Sequence, residues 1–132
     1  MSSLQGRVAV VTGAGRGLGR EHALLLASLG AAVVVNDLDG APAEAVVAEI
    51  TAAGGRAVAH AGDISDWDTG RALVDAAVAT FGDLHVLVNN AGILRDRFLV
   101  NMSPEEWDDV VRVHLRGHFV PTRWAATHWR EQ

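Results

Sequence analysis

Four short valine-rich runs alternate with helical patterns from one end of the chain to the other, and this alternation limits the fold more than any other feature. The runs are Arg7–Thr12, Ala32–Asn36, Arg56–His60 and His85–Asn89. They are apolar continuously, not at every second residue, which predicts strands covered on both faces, as in a parallel sheet. Helical patterns fill the intervals at Gly17–Leu29, Ala41–Ala53, Asp66–Phe81 and Pro104–Thr127. Gly30, the Gly54-Gly55 pair and Gly82 follow helices as C-terminal caps do. Ser103-Pro104-Glu105-Glu106 reads as a capping box with proline at the first helical position. Short loops and right-handed crossovers then leave a doubly wound α/β sheet in the order 3-2-1-4, one domain over residues 1–132.

Two features predict that this architecture stops partway through a larger domain. The fourth run would lie at a sheet edge, yet it is as apolar as a central strand and carries no charge, proline or bulge to blunt pairing. The closing helix is also rich in apolar residues: Trp107, Val110, Val111, Leu115, Phe119, Trp124 and Trp129.

Composition narrows the function classes. Apolar residues make up 49% and charged residues 20%, a globular balance. There is no cysteine, which excludes disulfides and thiolate metal sites. A net charge of −5 argues against nucleic acid or an anionic membrane as partner. No apolar run approaches the roughly 18 residues of a membrane span. The start, Met1-Ser2-Ser3-Leu4-Gln5-Gly6, lacks a signal-peptide pattern, so the expectation is a cytoplasmic protein.

The chemistry begins behind the first run, at Thr12-Gly13-Ala14-Gly15-Arg16-Gly17-Leu18-Gly19. An apolar strand, a glycine-rich turn and a helix form the cradle of a dinucleotide pyrophosphate. Glycines allow a tight turn and close approach, and the helix N-terminus offers free N–H groups to the anion. Gly13, Arg16, Gly17, Leu18 and Gly19 are the expected contacts. Asp37, at the end of the second strand, is placed to accept hydrogen bonds from an adenosine ribose and to repel a 2′-phosphate. Arg16 pulls the other way, since a guanidinium there suits a 2′-phosphate. The repulsion from Asp37 is the more direct, so NAD is expected over NADP. Asp63 and Ile64 follow the third strand, where an acid can accept from the adenine amino group and an aliphatic side chain can cover the ring. The same residues fit a helix entry equally well, with Ser65 or Asp66 as the N-cap. Asn89-Asn90-Ala91-Gly92 follows the fourth strand, and as a pattern alone it fits either a ligand approach or a plain turn.

Taken together, these stretches resemble the short-chain dehydrogenase/reductase family along essentially the whole chain. Thr12, Gly13, Gly17 and Gly19 match its Thr-Gly-x-x-x-Gly-x-Gly, and Asn89–Gly92 its Asn-Asn-Ala-Gly. Asp63 matches its adenine-contacting acid. The resemblance implies a Rossmann fold, cofactor contacts at Asp63, Ile64, Asn90, Ala91 and Gly92, and hydride transfer between a nicotinamide and an alcohol or ketone. It further implies a dimer or tetramer of the complete enzyme. Asn36-Asp37-Leu38, Ile93-Leu94-Arg95-Asp96-Arg97 and Val113-His114-Leu115-Arg116-Gly117 are most similar to the hydroxyacyl-CoA dehydrogenase unit of peroxisomal multifunctional enzymes, with bacterial 3-oxoacyl reductases close behind. A 3-hydroxyacyl thioester substrate follows from that branch.

The chain departs from the family at two points. The family's fourth-helix asparagine, whose carbonyl holds a water in the proton relay, falls on His114, as it does in the hydroxyacyl-CoA branch. The family's catalytic tyrosine, lysine and serine set has no counterpart. The chain has no tyrosine, and all eleven of its basic residues are arginine. A phenol near pKa 10 needs a cationic neighbour to exchange protons near neutrality. The expectation is therefore the cofactor-binding half of an oxidoreductase, inactive by itself, with roughly another hundred residues completing the domain. The competing expectation is a non-catalytic dinucleotide-binding or partner-docking module. His114 and His118 lie four apart on one helix face but lack a third ligand, so no metal is expected. Asp96 and Arg97 fit an ion pair near the pocket mouth or, equally, a solvated loop.

Overall fold

Each valine-rich run folds as a strand: β1 (Val8–Val11), β2 (Ala32–Asp37), β3 (Arg56–Ala61) and β4 (Val86–Val88). The computed structural model describes residues 3–132. Met1 and Ser2, the start of the N-terminal segment read above, lie outside the described residues. All strands pair in parallel in the order β3-β2-β1-β4, as the pattern predicts. Val8 stands opposite Ala32, Ala32 opposite Arg56, and Ala9 opposite Val86, so the strands finish at a common edge.

Helices α1 (Gly17–Ser28), α2 (Gly40–Ala52), α3 (Trp67–Phe81) and α5 (Gly117–Arg130) cover the two faces, while α4 (Pro104–Val111) has no buried residue. Alternate strand residues divide between them. Val8, Val10, Ala32 and Val34 pack with Leu73, Val74 and Ala77 of α3 and Ala125 of α5. Val11, Val33 and Val35 pack with Ala23 and Ala27 of α1 and with Ala43, Val46 and Ile50 of α2. Val10, Val11, Val33, Val34 and Val35 are fully excluded from solvent. Burying each such side chain is worth about 1.5–3 kcal/mol, which is why the runs are continuous.

The helix ends follow their residues. Asp66 is the N-cap of α3, accepting from the Thr69 N–H at 2.9 Å. Ser103 and Glu106 close the capping box of α4. Gly82 ends α3 in the left-handed conformation.

One expected element is not continuous. The helical pattern over Pro104–Thr127 is divided into α4, a π-turn at Arg112–Arg116, and α5. A π-turn inserts one residue into the ladder. Gly117, at its end, lies so close to the Ile64 side chain that an added Cβ would stand 2.5 Å from Cδ1. Pro121, four residues on, has no N–H to close onto the Gly117 carbonyl.

The apolar residues of this last region divide by role. Trp124 meets Trp67 at 4.8 Å between ring centroids and donates to the Trp67 carbonyl. Trp107, Leu115 and Phe119 are mostly exposed, and the edge strand β4 is half-buried.

At the opposite end of the sheet, Asp83 joins β4 to α5. His128 Nε2 lies 2.8 Å from Asp83 Oδ1, and the Leu84 N–H donates to the same oxygen at 2.8 Å. The Trp129 indole donates to the Leu84 carbonyl at 2.7 Å. The bond from His128, with that from the Leu84 N–H behind it, holds the Asp83 carboxyl below its ordinary value. The unfolded chain therefore binds this proton more readily than the folded one. Ionised Asp83 stabilises the fold at neutral pH, and that contribution disappears as pH falls through the acid range below about 4. Asp83→Asn is expected to lower the melting temperature by a few degrees at pH 7. The difference from the unsubstituted chain should shrink as pH falls below about 4; a deficit in calorimetry that stays the same from pH 7 into that acid range would contradict this role.

Candidate functional site

The carboxyl edge of the sheet is laced together by backbone and amide hydrogen bonds. Gly13 and Gly17 turn the chain between β1 and α1 with φ of 61° and 58°, the left-handed region that glycine adopts without a Cβ penalty. The Ala14 N–H donates to the Asn36 carbonyl at 2.7 Å, and the Gly15 N–H donates to Asp37 Oδ2 at 2.9 Å. Thr12 Oγ1 accepts from the N–H groups of Asn90 and Ala91, each at 3.0 Å. In return, the Asn90 amide donates to the carbonyls of Thr12 and Gly13 at 3.2 and 3.1 Å. The Asn36 amide reaches the His60 carbonyl at 3.0 Å. Four strand ends are thus tied into one rim.

Above this rim lies a cleft of about 510 Å³. Eight of the residues singled out from the sequence line it: Gly13, Arg16, Asp37, Asp63, Ile64, Asn90, Ala91 and Gly92. Gly17, Leu18 and Gly19 do not; they form the first turn of α1 behind the glycine loop, with Leu18 mostly exposed and Gly19 buried. No side chain caps α1, and its first turn holds no acid. The positive end of its dipole is left available to an anion.

The charged residues at the mouth are arranged unequally. Asp37 is only 8% exposed, so it is not a solvated turn acid. Arg16 is largely exposed and lies 3.9 Å from Asp39, which draws its charge outward. Ile64 lines the cleft while also packing into the core beneath α5, with 4% of its surface exposed. Leu38, which also lines the cleft, is the exposed aliphatic residue there.

Three side chains from the π-turn grip the walls. Arg112 Nη1 donates to Asp63 Oδ2 at 2.7 Å and to Ser65 Oγ at 3.1 Å. Arg116 donates to the Ser65 carbonyl at 2.7 Å. His114 Nε2 lies 2.8 Å from the Ile93 carbonyl and 3.1 Å from the Ile93 N–H, so its tautomer selects one of the two bonds. Arg112 and Arg95 also line the cleft; neither takes a site role from the sequence, and Arg95 entered only within the stretch Ile93–Arg97. The only signal for Arg112 was its i,i+4 spacing from Arg116, which a solvated helix face explains as well.

One smaller expectation resolves differently. Arg97 pairs with Glu106 at 2.8 Å, not with Asp96, because the capping box holds Glu106 beside it. The rings of His114 and His118 are 6.4 Å apart, and among the described residues no three potential ligands cluster for a metal. Nor is any helix among them long and apolar enough to cross a membrane.

Comparison with known proteins places this geometry. A family model described as short chain dehydrogenase matches residues 7–132. The chain is 58% identical to the hydroxyacyl-CoA dehydrogenase ChsB1 of Mycobacterium tuberculosis, covering 99% of this chain and 43% of the relative. It is 50% identical to the peroxisomal multifunctional enzyme type 2 of Mus musculus, covering 96% of this chain and 18% of that protein. A crystal structure of a short chain dehydrogenase from Mycobacterium avium superposes with a TM-score of 0.94 at 54% identity, over 97% of this chain and 47% of the other. The chain therefore spans less than half the length of each of these proteins.

Proposed function

The chain belongs to the short chain dehydrogenase family, and on that premise we propose that it is the NAD-binding part of an oxidoreductase acting on an alcohol or ketone. The observation that carries this reading is one cleft at the carboxyl edge of a parallel sheet. The glycine turn, Asp37, Asp63 and the Asn90–Gly92 segment all meet there. The residues fit a dinucleotide: an uncapped helix N-terminus for the pyrophosphate, a nearly buried carboxylate for the ribose, and a second carboxylate for the adenine amino group. Bound there, the nicotinamide would supply or accept the hydride.

Asp37 supports NAD over NADP. A 2′-phosphate would meet its carboxylate, while Arg16, the cation best placed to compensate, faces Asp39. The name of one relative, a hydroxyacyl-CoA dehydrogenase, supports a 3-hydroxyacyl thioester as substrate. His114 holds the segment after Gly92 by its bond to Ile93, and so shapes the floor on which a substrate would rest. With neither tyrosine nor lysine among these 132 residues, we place the proton-transfer groups beyond them. The half-buried, unblunted β4 and the exposed Phe119 favour this reading over a self-sufficient docking module. A small-molecule partner, a cytoplasmic site of action and a dimer or tetramer of the whole enzyme complete the proposal, with residues 1–132 as one dinucleotide-binding domain.

A polypeptide of these 132 residues is expected to bind NADH and to leave a 3-hydroxyacyl-CoA unoxidised in the presence of NAD. Turnover by that polypeptide, followed as NADH absorbance, would refute the placement of the proton-transfer groups.

A further inference from the structure

We propose that Arg112 is a positioning residue that selects adenine, by fixing the Asp63 carboxylate in the plane from which it accepts the adenine amino group. The inference rests on the dinucleotide reading above and concerns only its adenine end. Asp63 Oδ1 is held within its own loop, by the Ser65 N–H at 2.9 Å and the Ser65 hydroxyl at 2.7 Å. Those bonds anchor one oxygen and leave the carboxylate free to pivot about it. Arg112 supplies the second anchor at Oδ2, 2.7 Å away, and it comes from an element 49 residues further along the chain. The same Nη1 reaches Ser65 Oγ, so acid, hydroxyl and guanidinium form a closed triangle.

The π-turn makes this arrangement possible. Its extra residue carries Arg112 and Arg116 onto the β3–α3 loop together, and Arg116 secures the Ser65 carbonyl at 2.7 Å. Asp109, at 3.7 Å from Arg112 Nη2, steadies the guanidinium from behind. Both Arg112 and Asp63 line the cleft. An ionised carboxylate only accepts hydrogen bonds, so a held one favours a base edge with an amino donor and disfavours one with a carbonyl at the same position. Arg112 Nη1 holds Oδ2 while the Ser65 N–H and hydroxyl hold Oδ1, and two oxygens held from different sides fix the carboxylate plane.

Hypoxanthine differs from adenine by carrying a carbonyl where adenine has the amino group. The purified protein is expected to bind NADH about tenfold more tightly than reduced nicotinamide hypoxanthine dinucleotide, the size of effect one hydrogen bond supplies. In Arg112→Gln that preference should fall to within about twofold, while affinity for reduced nicotinamide mononucleotide, which has no base, stays unchanged. Asp63→Asn should lose the preference as well, and the double variant should lose no more than either single one. An undiminished preference in Arg112→Gln, or an equal loss toward all three ligands, would overturn the inference. Failure of the unsubstituted protein to bind any of them would instead overturn the dinucleotide reading on which it stands.

Discussion

Replacing Gly19 with alanine is expected to abolish saturable NADH binding and to lower the melting temperature by roughly 5–15 °C, from an overpacking cost of about 1–3 kcal/mol. Helix propensity alone predicts the opposite sign, since alanine in place of a helical glycine stabilises by about 0.5–1 kcal/mol. Contact decides between the two effects. A Cβ at Gly19 would collide with the Gly13 carbonyl oxygen and the Asn90 Nδ2, and would stand 2.9 Å from Ala14 Cα. Two of these three are backbone atoms of the glycine turn. The third is the amide that ties the turn to the end of β4. None is the free end of a flexible side chain, so the turn itself has to shift. Loss of binding with an unchanged melting temperature would mean that Gly19 faces the ligand directly; retention of both would show that the turn is more compliant than this packing implies.

Asp37→Ala carries the second large effect. NADH affinity should fall about tenfold, because the ribose hydroxyls lose their acceptor at about 0.5–1.5 kcal/mol each. NADPH affinity should rise, because a like-charge contact worth several kcal/mol is removed. Together the two changes should move the NADH to NADPH preference by about two orders of magnitude. The Gly15 N–H would also lose the partner it now has at 2.9 Å, which loosens the turn for both cofactors and keeps the NADPH gain modest. Asp39→Ala is the control: it frees Arg16 without touching the nearly buried carboxylate, and a smaller shift is expected. Unchanged discrimination in Asp37→Ala would remove Asp37 from cofactor choice.

What the sequence disclosed and what it hid follow a physical division. The strands and their order were legible because Val10, Val11, Val33, Val34 and Val35 are buried on both sides of the sheet, and burial writes itself as an unbroken apolar run. The glycine turn was legible because the positive φ at Gly13 and Gly17 leaves little choice of residue. Helix starts at Asp66 and Ser103 were legible because capping is local chemistry. The π-turn was not. One added residue inside a long amphipathic pattern shifts its phase too little to register, and Gly117 at its end packs against Ile64, far away in sequence. The Arg112–Asp63 pair was hidden for the same reason, since nothing in either segment specifies a partner 49 residues distant.

On the proposed function, a nicotinamide dinucleotide lies along the carboxyl edge of this sheet. The most direct test is an NMR titration of the ¹⁵N-labelled protein with NADH, followed at each backbone amide. Saturable shifts are expected, concentrated at Gly13–Gly19, Asp37, Asp63 and Asn90–Gly92. The Asp83–His85 segment at the opposite edge should stay still. Shifts centred on that opposite edge, or none at millimolar NADH with the fold intact, would contradict that placement.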